Sequence, residues 1–448
     1  MSLWKIAWRS IQQRSLASSL TAVSMGLGVM MVVAVLVAGS VVHNSFATGN
    51  QLGFNVVVGA KGGRLDLLIN SVYYLSRPIE NIPWSYYKEF LPASAHKDRK
   101  PGKYAGYVLE DDPDPNTAGL AIPICLGDFL GDEKASFRVV GAPPEMFTKL
   151  LNSKFQPGGE VYKTGDFATA VVGAEVAKHL HLKVGGDVVP MHGGVGGEKH
   201  MPFKITGILE RTGTPVDRAA FVNIEGFFLI PDHAKGHVEP VLKPGEKEQM
   251  LTTPVPEEQR ECTAILLRTA SVDGAPRSLT ALTLVPTINK ENVAQAIQPV
   301  QEISVLLNTF VRPVELITEV LALLVVLVAG IGILVSIYNS MSERRHEIAV
   351  MRALGARRNT VMTVVLFESI LLALGGGLMG WLAGHFLIGV AGPYITDYTG
   401  VQVGFLQFSP TFELILIPAL IALASLVGFL PALSAYRTDV GKALTATP

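Results

Sequence analysis

Four apolar stretches, each long enough to cross a bilayer as a helix, constrain this chain more than any other feature. A crossing takes about 20 residues at 1.5 Å per residue. Thr21–Val42 carries no charge in 22 positions, Val320–Tyr338 none in 19 and Leu414–Tyr436 none in 23. A further stretch, about Val361 to Val390, is interrupted by Glu368 and His385. Only 17% of the 448 residues are charged and 49% are hydrophobic, so the surplus belongs in a membrane and not in three soluble domains. A net charge of -1 leaves no basic excess for phosphates, which excludes a general nucleic-acid binder. Lys5, Arg9 and Arg14 precede the first stretch as they would in a signal peptide. Its apolar run is roughly twice the usual length of a signal peptide's apolar h-region, so an uncleaved anchor is expected.

Lys and Arg set the orientation. They cluster before the first stretch, between the second and third (Arg344, Arg345, Arg352, Arg357, Arg358) and after the fourth (Arg437, Lys442). The loop from Ala391 to Pro410 has none. Both termini and the loop 341–358 are therefore expected in the cytoplasm, and the long segment outside. Trp4, Ala7, Trp8 and Ile11 share one helical face opposite Lys5, Arg9 and Gln12. Such a helix suits the cytoplasmic headgroup layer, although the first turns of a longer helix read the same way. The expected organisation is an interfacial helix at 1–15 and transmembrane helices at 16–43, 313–340, 359–390 and 411–436. An outer domain fills 44–312, a cytoplasmic loop 341–358, a short outer loop 391–410 and a cytoplasmic tail 437–448.

The outer segment has 27 basic and 30 acidic residues, the balance of an ordinary soluble domain. Glycine-bounded runs read as strands: Asn55–Ala60, Ser136–Ala142, Ala168–Gly173, Val184–Val189, Phe203–Leu209 and Ala219–Ile224. Ala174–Leu182 reads as helix between them, which argues an α+β domain. Val293, Ala296/Ile297, Val300 and Ser304 recur at helical spacing, so 289–308 is expected to be a helical stalk, with Pro313 as a kink. The stretches 92–116 and 238–259 read as mobile regions, either exposed loops or flexible flaps. The fold class is thus an α-helical membrane protein with four transmembrane helices and a large α+β extracytoplasmic domain between the first two. Cys125 and Cys262, the only cysteines, permit one disulfide without requiring it.

Few motifs point to catalysis. There is no Gly-x-x-x-x-Gly-Lys-Ser/Thr and no Gly-x-Ser-x-Gly. Gly375–Gly380 spells the dinucleotide fingerprint inside a membrane helix, where Gly376, Gly380 and Gly384 make better sense as a packing face. His346-Glu347 begins like a zinc-protease helix but has Val350 at the second ligand position. Asp112, Asp114 and Asn116 begin a calcium loop that lacks its Gly and closing Glu. Seven of the ten histidines lie in the outer segment, six of them as the near pairs His179/His181, His192/His200 and His233/His237. His192 and His200 are candidate metal ligands, but no convergent carboxylate or cysteine set accompanies them in sequence. Glu368 is costly in hydrocarbon and should face other helices or a water-filled cavity. Asp217 and Arg218, in Thr212–Arg218, form either a loop offered to a partner or substrate, or an internal salt-bridged turn.

The densest charge lies in Ser340–Asn359, expected to be a short helix stopped by Gly355. It is either a topology-setting loop or a lever contacting a soluble partner. Its core, Ser342-Glu-Arg-Arg-His-Glu-Ile-Ala-Val-Met-Arg-Ala-Leu-Gly-Ala356, resembles the signature of MacB/FtsX-type ABC transporter permeases, the type VII mechanotransmission family. Glu368, the glycine ladder and Pro431-Ala-Leu-Ser-Ala-Tyr-Arg437 follow in family order, and residues 313–440 resemble the FtsX-like permease domain. The outer segments 171–187 and 203–209 are similar to a MacB-like periplasmic core.

The resemblance implies a non-enzymatic permease subunit in a bacterial inner membrane, paired with a second copy in a homodimer or heterodimer. ATP and Mg would be bound by a separate ABC ATP-binding subunit, with no cofactor in this chain. Glu343, Arg344, Arg345, Glu347, Ile348, Met351, Arg352, Leu354 and Gly355 would form the coupling surface, with Ile348, Met351 and Leu354 entering a cleft of the ATPase. Its work would be export or extraction of a lipid-linked, peptide or hydrophobic substrate, in contact with membrane lipid and possible periplasmic partners. The rival readings are a signalling protein that regulates an envelope enzyme without transport, and a component of metal-linked uptake.

Overall fold

The computed structural model describes residues 3–47, 52–114, 117–131, 136–192, 197–230, 233, 254–271, 276–343, 345–399 and 410–436. Two compact units emerge: Met1–Ser45 with Leu307–Pro448, and Phe46–Leu306.

In the first unit, α1 (Leu3–Gln13) ends one residue before α2 (Ser15–Ala47) begins. The two are separate helices broken at Arg14. The buried face of α1 is Ala7 and Ser10, while Trp4 and Trp8 stay about half exposed.

The second unit opens with strand β1 (Val56–Ala60), α3 (Arg64–Ser71), β2 (Ile82–Pro83), α4 (Trp84–Lys88) and α5 (Ala105–Val108). Next come β3 (Leu120–Gly131), β4 (Ser136–Ala142), β5 (Thr169–Val172), α6 (Ala174–His179), β6 (Asp187–Val188) and β7 (Phe203–Ile208). The unit closes with β8 (Ala219–Asn223), α7 (Ile224–Phe228), β9 (Glu261–Cys262), β10 (Ala264–Arg268), α8 (Arg277–Asn289), β11 (Ala294–Ile297) and α9 (Pro299–Leu306). A π-helical turn, Leu307–Val311, then precedes α10 (Arg312–Glu343), α11 (Arg345–Ala353), α12 (Arg358–Thr399) and α13 (Pro410–Tyr436).

Nine strands form one mixed sheet in the order β11-β1-β10-β3-β4-β8-β5-β7-β6. Its β4–β8 and β5–β7 pairs are parallel and the others antiparallel. Val56, Val57 and Val58 are all fully buried, because β1 lies between β10 and β11 and both its faces are covered. Gly59 belongs to the same logic: a Cβ there would collide with Leu67 of α3, so glycine lets that helix close onto the strand. The six sequence-read strands all contain a β-strand at or within their bounds.

Two expectations fail. Residues 289–308 are not one helix: α8 ends at Asn289, and Ala294–Ile297 is an edge strand paired with β1. Val293, Ala296 and Ile297 satisfy helical and extended spacing equally over so short a run, and the open edge of β1 decides. The irregularity near Pro313 takes the form of the widened turn just before it, since Pro313 offers no N–H to the preceding turn. The stretch 92–116 is also not simply an exposed loop, for Tyr104 and Val108 are buried in the core. Most of 238–259 lies outside the described residues. Cys125 and Cys262 are buried free thiols, and burial pushes both up from the usual thiol range.

Among the described residues, four helical spans have the length and apolarity to cross a membrane: Ser15–Ser40, Pro299–Asn339, Arg358–Ile395 and Glu413–Leu433.

Candidate functional site

The segment between the second and third spans is α11. It closes in a Schellman arrangement: Ala356 N–H donates to Met351 O at 3.0 Å, and Gly355 N–H to Arg352 O at 3.1 Å. Gly355 sits at φ +99°, which only glycine takes without strain. Leu354 is 83% exposed and Met351 is also exposed. Ile348 is 3% exposed and packs with Val361 and Val365 in the unit's own core. It therefore cannot enter a partner's cleft, which corrects its place in the expected coupling surface. Its neighbour Ala349 is fully buried too, so α11 lays the 348–349 edge on the membrane helices and turns Val350, Met351 and Leu354 outward. Arg344 and the side chains of Glu343, Arg345 and Glu347 lie outside the described residues. Arg352 is partly buried, and Arg358, at the start of α12, stacks 5.7 Å from the Tyr436 ring.

The glycine ladder joins α12 to α2. A Cβ on Gly376 would stand 2.6 Å from Ala22 O and one on Gly384 2.9 Å from Val33, while one on Gly380 would strike Gly26 O. Gly26 answers from the other helix, 3.2 Å from Gly376 O by the same measure. The backbones touch directly, as small residues allow in membranes.

Glu368 is 6% exposed, and Ser10 Oγ donates to its Oε2 at 2.9 Å. The carboxylate thus faces another helix, with α1 supplying a partner. A second polar group escaped sequence reasoning. Glu413, one residue before the fourth apolar run, accepts from Trp381 Nε1 at 2.8 Å and lies 3.4 Å from His385 Nε2. His385 therefore pairs with Glu413, whose side chain is as sheltered as its own.

In the second unit, Asp217 is buried and binds its own loop. Thr212 N–H (3.0 Å), Thr212 Oγ1 (2.9 Å) and Gly213 N–H (2.8 Å) all donate to its carboxylate. The Arg218 guanidinium lies 5.9 Å from the Phe137 ring.

His192 and His200 converge with His233 on Asp128. The carboxylate is 1% exposed and ringed by His233 Nε2 at 3.3 Å, His192 Nδ1 at 3.4 Å and His200 Nε2 at 3.5 Å. The three imidazole ligand atoms lie within 4.8 Å of one another. Burial by itself would raise Asp128, but the His233 imidazole and the charges of His200 and His192 hold it below the usual carboxylate range. Three pieces of chain build the cluster. The β3 register shifts between Leu126 and Phe129, and that irregularity aims Asp128. His192 and His200 flank the Met191↔Lys199 bridge, and His233 follows α7, its N–H bonded to Ile230 O. A Cβ at Gly127 would lie 2.8 Å from His233 Nε2, so glycine makes the room.

Against known proteins, residues 319–440 match the FtsX-like permease C-terminal family. The macrolide export ATP-binding/permease protein MacB of Agrobacterium fabrum is 31% identical over 146 residues, covering 31% of this chain and 20% of that protein. The MacB of Bordetella avium is 36% identical over 125 residues, covering 28% and 18%. The matched region is thus about a fifth of the length of these curated relatives. A solved domain of a putative permease protein from Porphyromonas gingivalis aligns at 13% identity and TM-score 0.25, over 43% of this chain and 82% of that one.

Proposed function

We propose, from the premise that residues 319–440 are an FtsX-like permease domain in a multi-pass membrane protein of MacB/FtsX type, that this chain is the permease component of an ABC transporter driven by ATP hydrolysis elsewhere. Its MacB relatives are named as combined ATP-binding and permease proteins. Here ATP and Mg would be bound by an ABC ATP-binding subunit docked on α11, and a second permease copy would complete the assembly. Both termini and α11 would face the cytoplasm of a bacterial inner membrane, with the α+β unit outside.

The observation that supports this reading best is α11 itself. It is a stiff, capped helix between two membrane-crossing helices, seated through Ile348 and Ala349 and presenting Met351 and Leu354. Exposed apolar side chains on a short charged helix suit the cleft of a soluble partner. Closure of the ATPase pair would push α11, and α10 and α12 would carry the displacement outward. Glu343, Arg344, Arg345, Glu347 and Arg352 would set the register of docking. A pore lined by polar groups has little support in the apolar spans, so the work would be done on a lipid-linked, peptide or hydrophobic substrate outside the membrane. Macrolide export, named for the relatives, falls within that class. The apolar cleft of about 340 Å³ among α2, α10 and α13, lined by Val29, Leu323 and Leu420, suits a lipid chain.

Both native cysteines are buried, so Leu354→Cys gives one exposed thiol for labelling. It should label at least ~10-fold more slowly in inverted native membranes than in the purified chain reconstituted alone, a tenfold change being 1.4 kcal/mol of protection. Equal rates would overturn the docking assignment.

A further inference from the structure

We propose that Asp128, His192, His200 and His233 form a zinc(II) site in the outer unit. Three features carry the inference. First, the donor set is three imidazoles and a carboxylate, borderline ligands that suit zinc and neighbouring first-row ions. They do not suit copper(I), which prefers sulfur, or calcium and magnesium, which prefer all-oxygen shells.

Second, the distances fit an ion better than direct pairing. An ion-paired imidazolium donates to a carboxylate at about 2.7–2.9 Å. All three nitrogens instead stand off at 3.3, 3.4 and 3.5 Å, and neither oxygen of Asp128 accepts a well-formed hydrogen bond. Four ligands about 2.0–2.1 Å from a tetrahedral zinc lie about 3.3 Å from one another; His233 and His192 stand 3.3 and 3.4 Å from Asp128 Oδ1, His200 3.5 Å from Oδ2, and the three nitrogens lie within 4.8 Å of one another. The ring centroids are correspondingly even, at 5.8, 5.9 and 5.6 Å, and the rings are nearly perpendicular.

Third, a bare carboxylate buried to this degree is expensive unless it is paired or coordinates a metal. A dication held by one carboxylate and three neutral imidazoles meets that demand. The Phe227 ring packs edge-on, 4.6 Å from His233, and walls the site on one side. The side chain of His192 is 55% exposed and leaves an entry path on the other.

Four protein ligands fill a tetrahedron, which marks a closed site and not a hydrolytic one with an open position. Its ligands come from β3, the Met191–Lys199 bridge and the turn after α7. Zinc would therefore fasten these three pieces together, and its occupancy would set how firmly this end of the sheet is held. The inference stands apart from the transport reading, since it needs only the outer unit's own residues.

The test uses the full-length protein in detergent, stripped with a chelator and re-equilibrated with zinc(II) alone. Metal content, competition against a chromophoric chelator and the visible spectrum of the cobalt(II) form are then read. About one zinc per chain and a four-coordinate cobalt spectrum are expected. His192→Ala, at the exposed ligand, and the isosteric Asp128→Asn should each weaken binding by more than ~10-fold. His181→Ala, an exposed histidine outside the cluster, should leave binding unchanged. Metal-free unfolding midpoints check that the variants fold, and His192→Ala decides the matter if Asp128→Asn does not. No stoichiometric zinc in the wild type would overturn the proposal. Undiminished binding in a folded His192→Ala would do the same.

Discussion

Ser10 Oγ donates to Glu368 Oε2 at 2.9 Å across 358 residues of chain, and so ties the amino-terminal helix to the third membrane span. Trp4 adds an edge contact to Phe367, with ring centroids 6.4 Å apart. Together they make α1 a strut against α12, the helix that emerges from α11. Ser10→Ala and Glu368→Gln should therefore be non-additive. A coupling of about 1 kcal/mol is expected from a double-mutant cycle read by thermal unfolding in nanodiscs. Additivity within error would mean the two groups act independently.

Gly380 meets the α2 backbone directly, whereas Gly332 on α10 has open space around its missing Cβ. Gly380→Leu should lower stability by about 1–3 kcal/mol or more through overpacking, while Gly332→Leu is tolerated. Comparing the two unfolding midpoints separates a packing requirement from general intolerance of bulk in membrane helices.

Three N–H or O–H groups of the 212–213 turn converge on Asp217 and hold the loop to its carboxylate. Asp217→Ala leaves those donors without their acceptor and should cost about 1–3 kcal/mol. Arg218→Ala removes a cation–π contact to Phe137, an interaction of about 0.5–1 kcal/mol at exposed sites and more where desolvated, and should cost at least that much. Chemical denaturation followed by far-UV circular dichroism would rank the two.

Glu291 accepts from Tyr86 Oη at 2.7 Å and pairs with Lys103. Burial alone would raise its pKa, but hydrogen bonds from Lys103, Tyr104 and Tyr86 hold it down at about 2. A carboxyl depressed on folding stabilises the native state above its unfolded pKa, near 4.3, and loses that contribution as pH falls through about 2. Glu291→Gln should flatten the wild-type loss of stability over that acid range and change little of its slope at neutral pH. Acid titration of intrinsic fluorescence for both proteins checks the sign.

The membrane helices were readable because hydrocarbon demands uninterrupted apolar runs, and few other structures produce them. The strands at Val56–Ala60, Ser136–Ala142 and Phe203–Ile208 were readable because glycine punctuates short β-branched runs. β3 and β10 carried no such signal: Leu120–Gly131 contains Pro123 and Asp128, and Ala264–Arg268 reads equally as helix. The metal cluster was half visible. His192 and His200 stood out as a near pair, but Asp128 lies in a strand 64 residues before His192, and only the fold brings it there with His233. Glu413 was passed over because it falls just outside an apolar run that was counted from Leu414. Ile348 shows the opposite limit. The motif that marks α11 names its residues, but which of them face a partner depends on how the helix lies on its neighbours, and that is a property of packing.

The most direct measurement purifies the tagged wild type and Leu354→Asp gently from native membranes and identifies what accompanies each by mass spectrometry. A P-loop ATPase should accompany the wild type in stoichiometric yield and be depleted at least ~10-fold with the variant, the effect of burying a charge in an apolar anchor site. Recovery of an otherwise intact assembly without an ATPase, or equal recovery with both proteins, would contradict a role for α11 in receiving force from ATP hydrolysis.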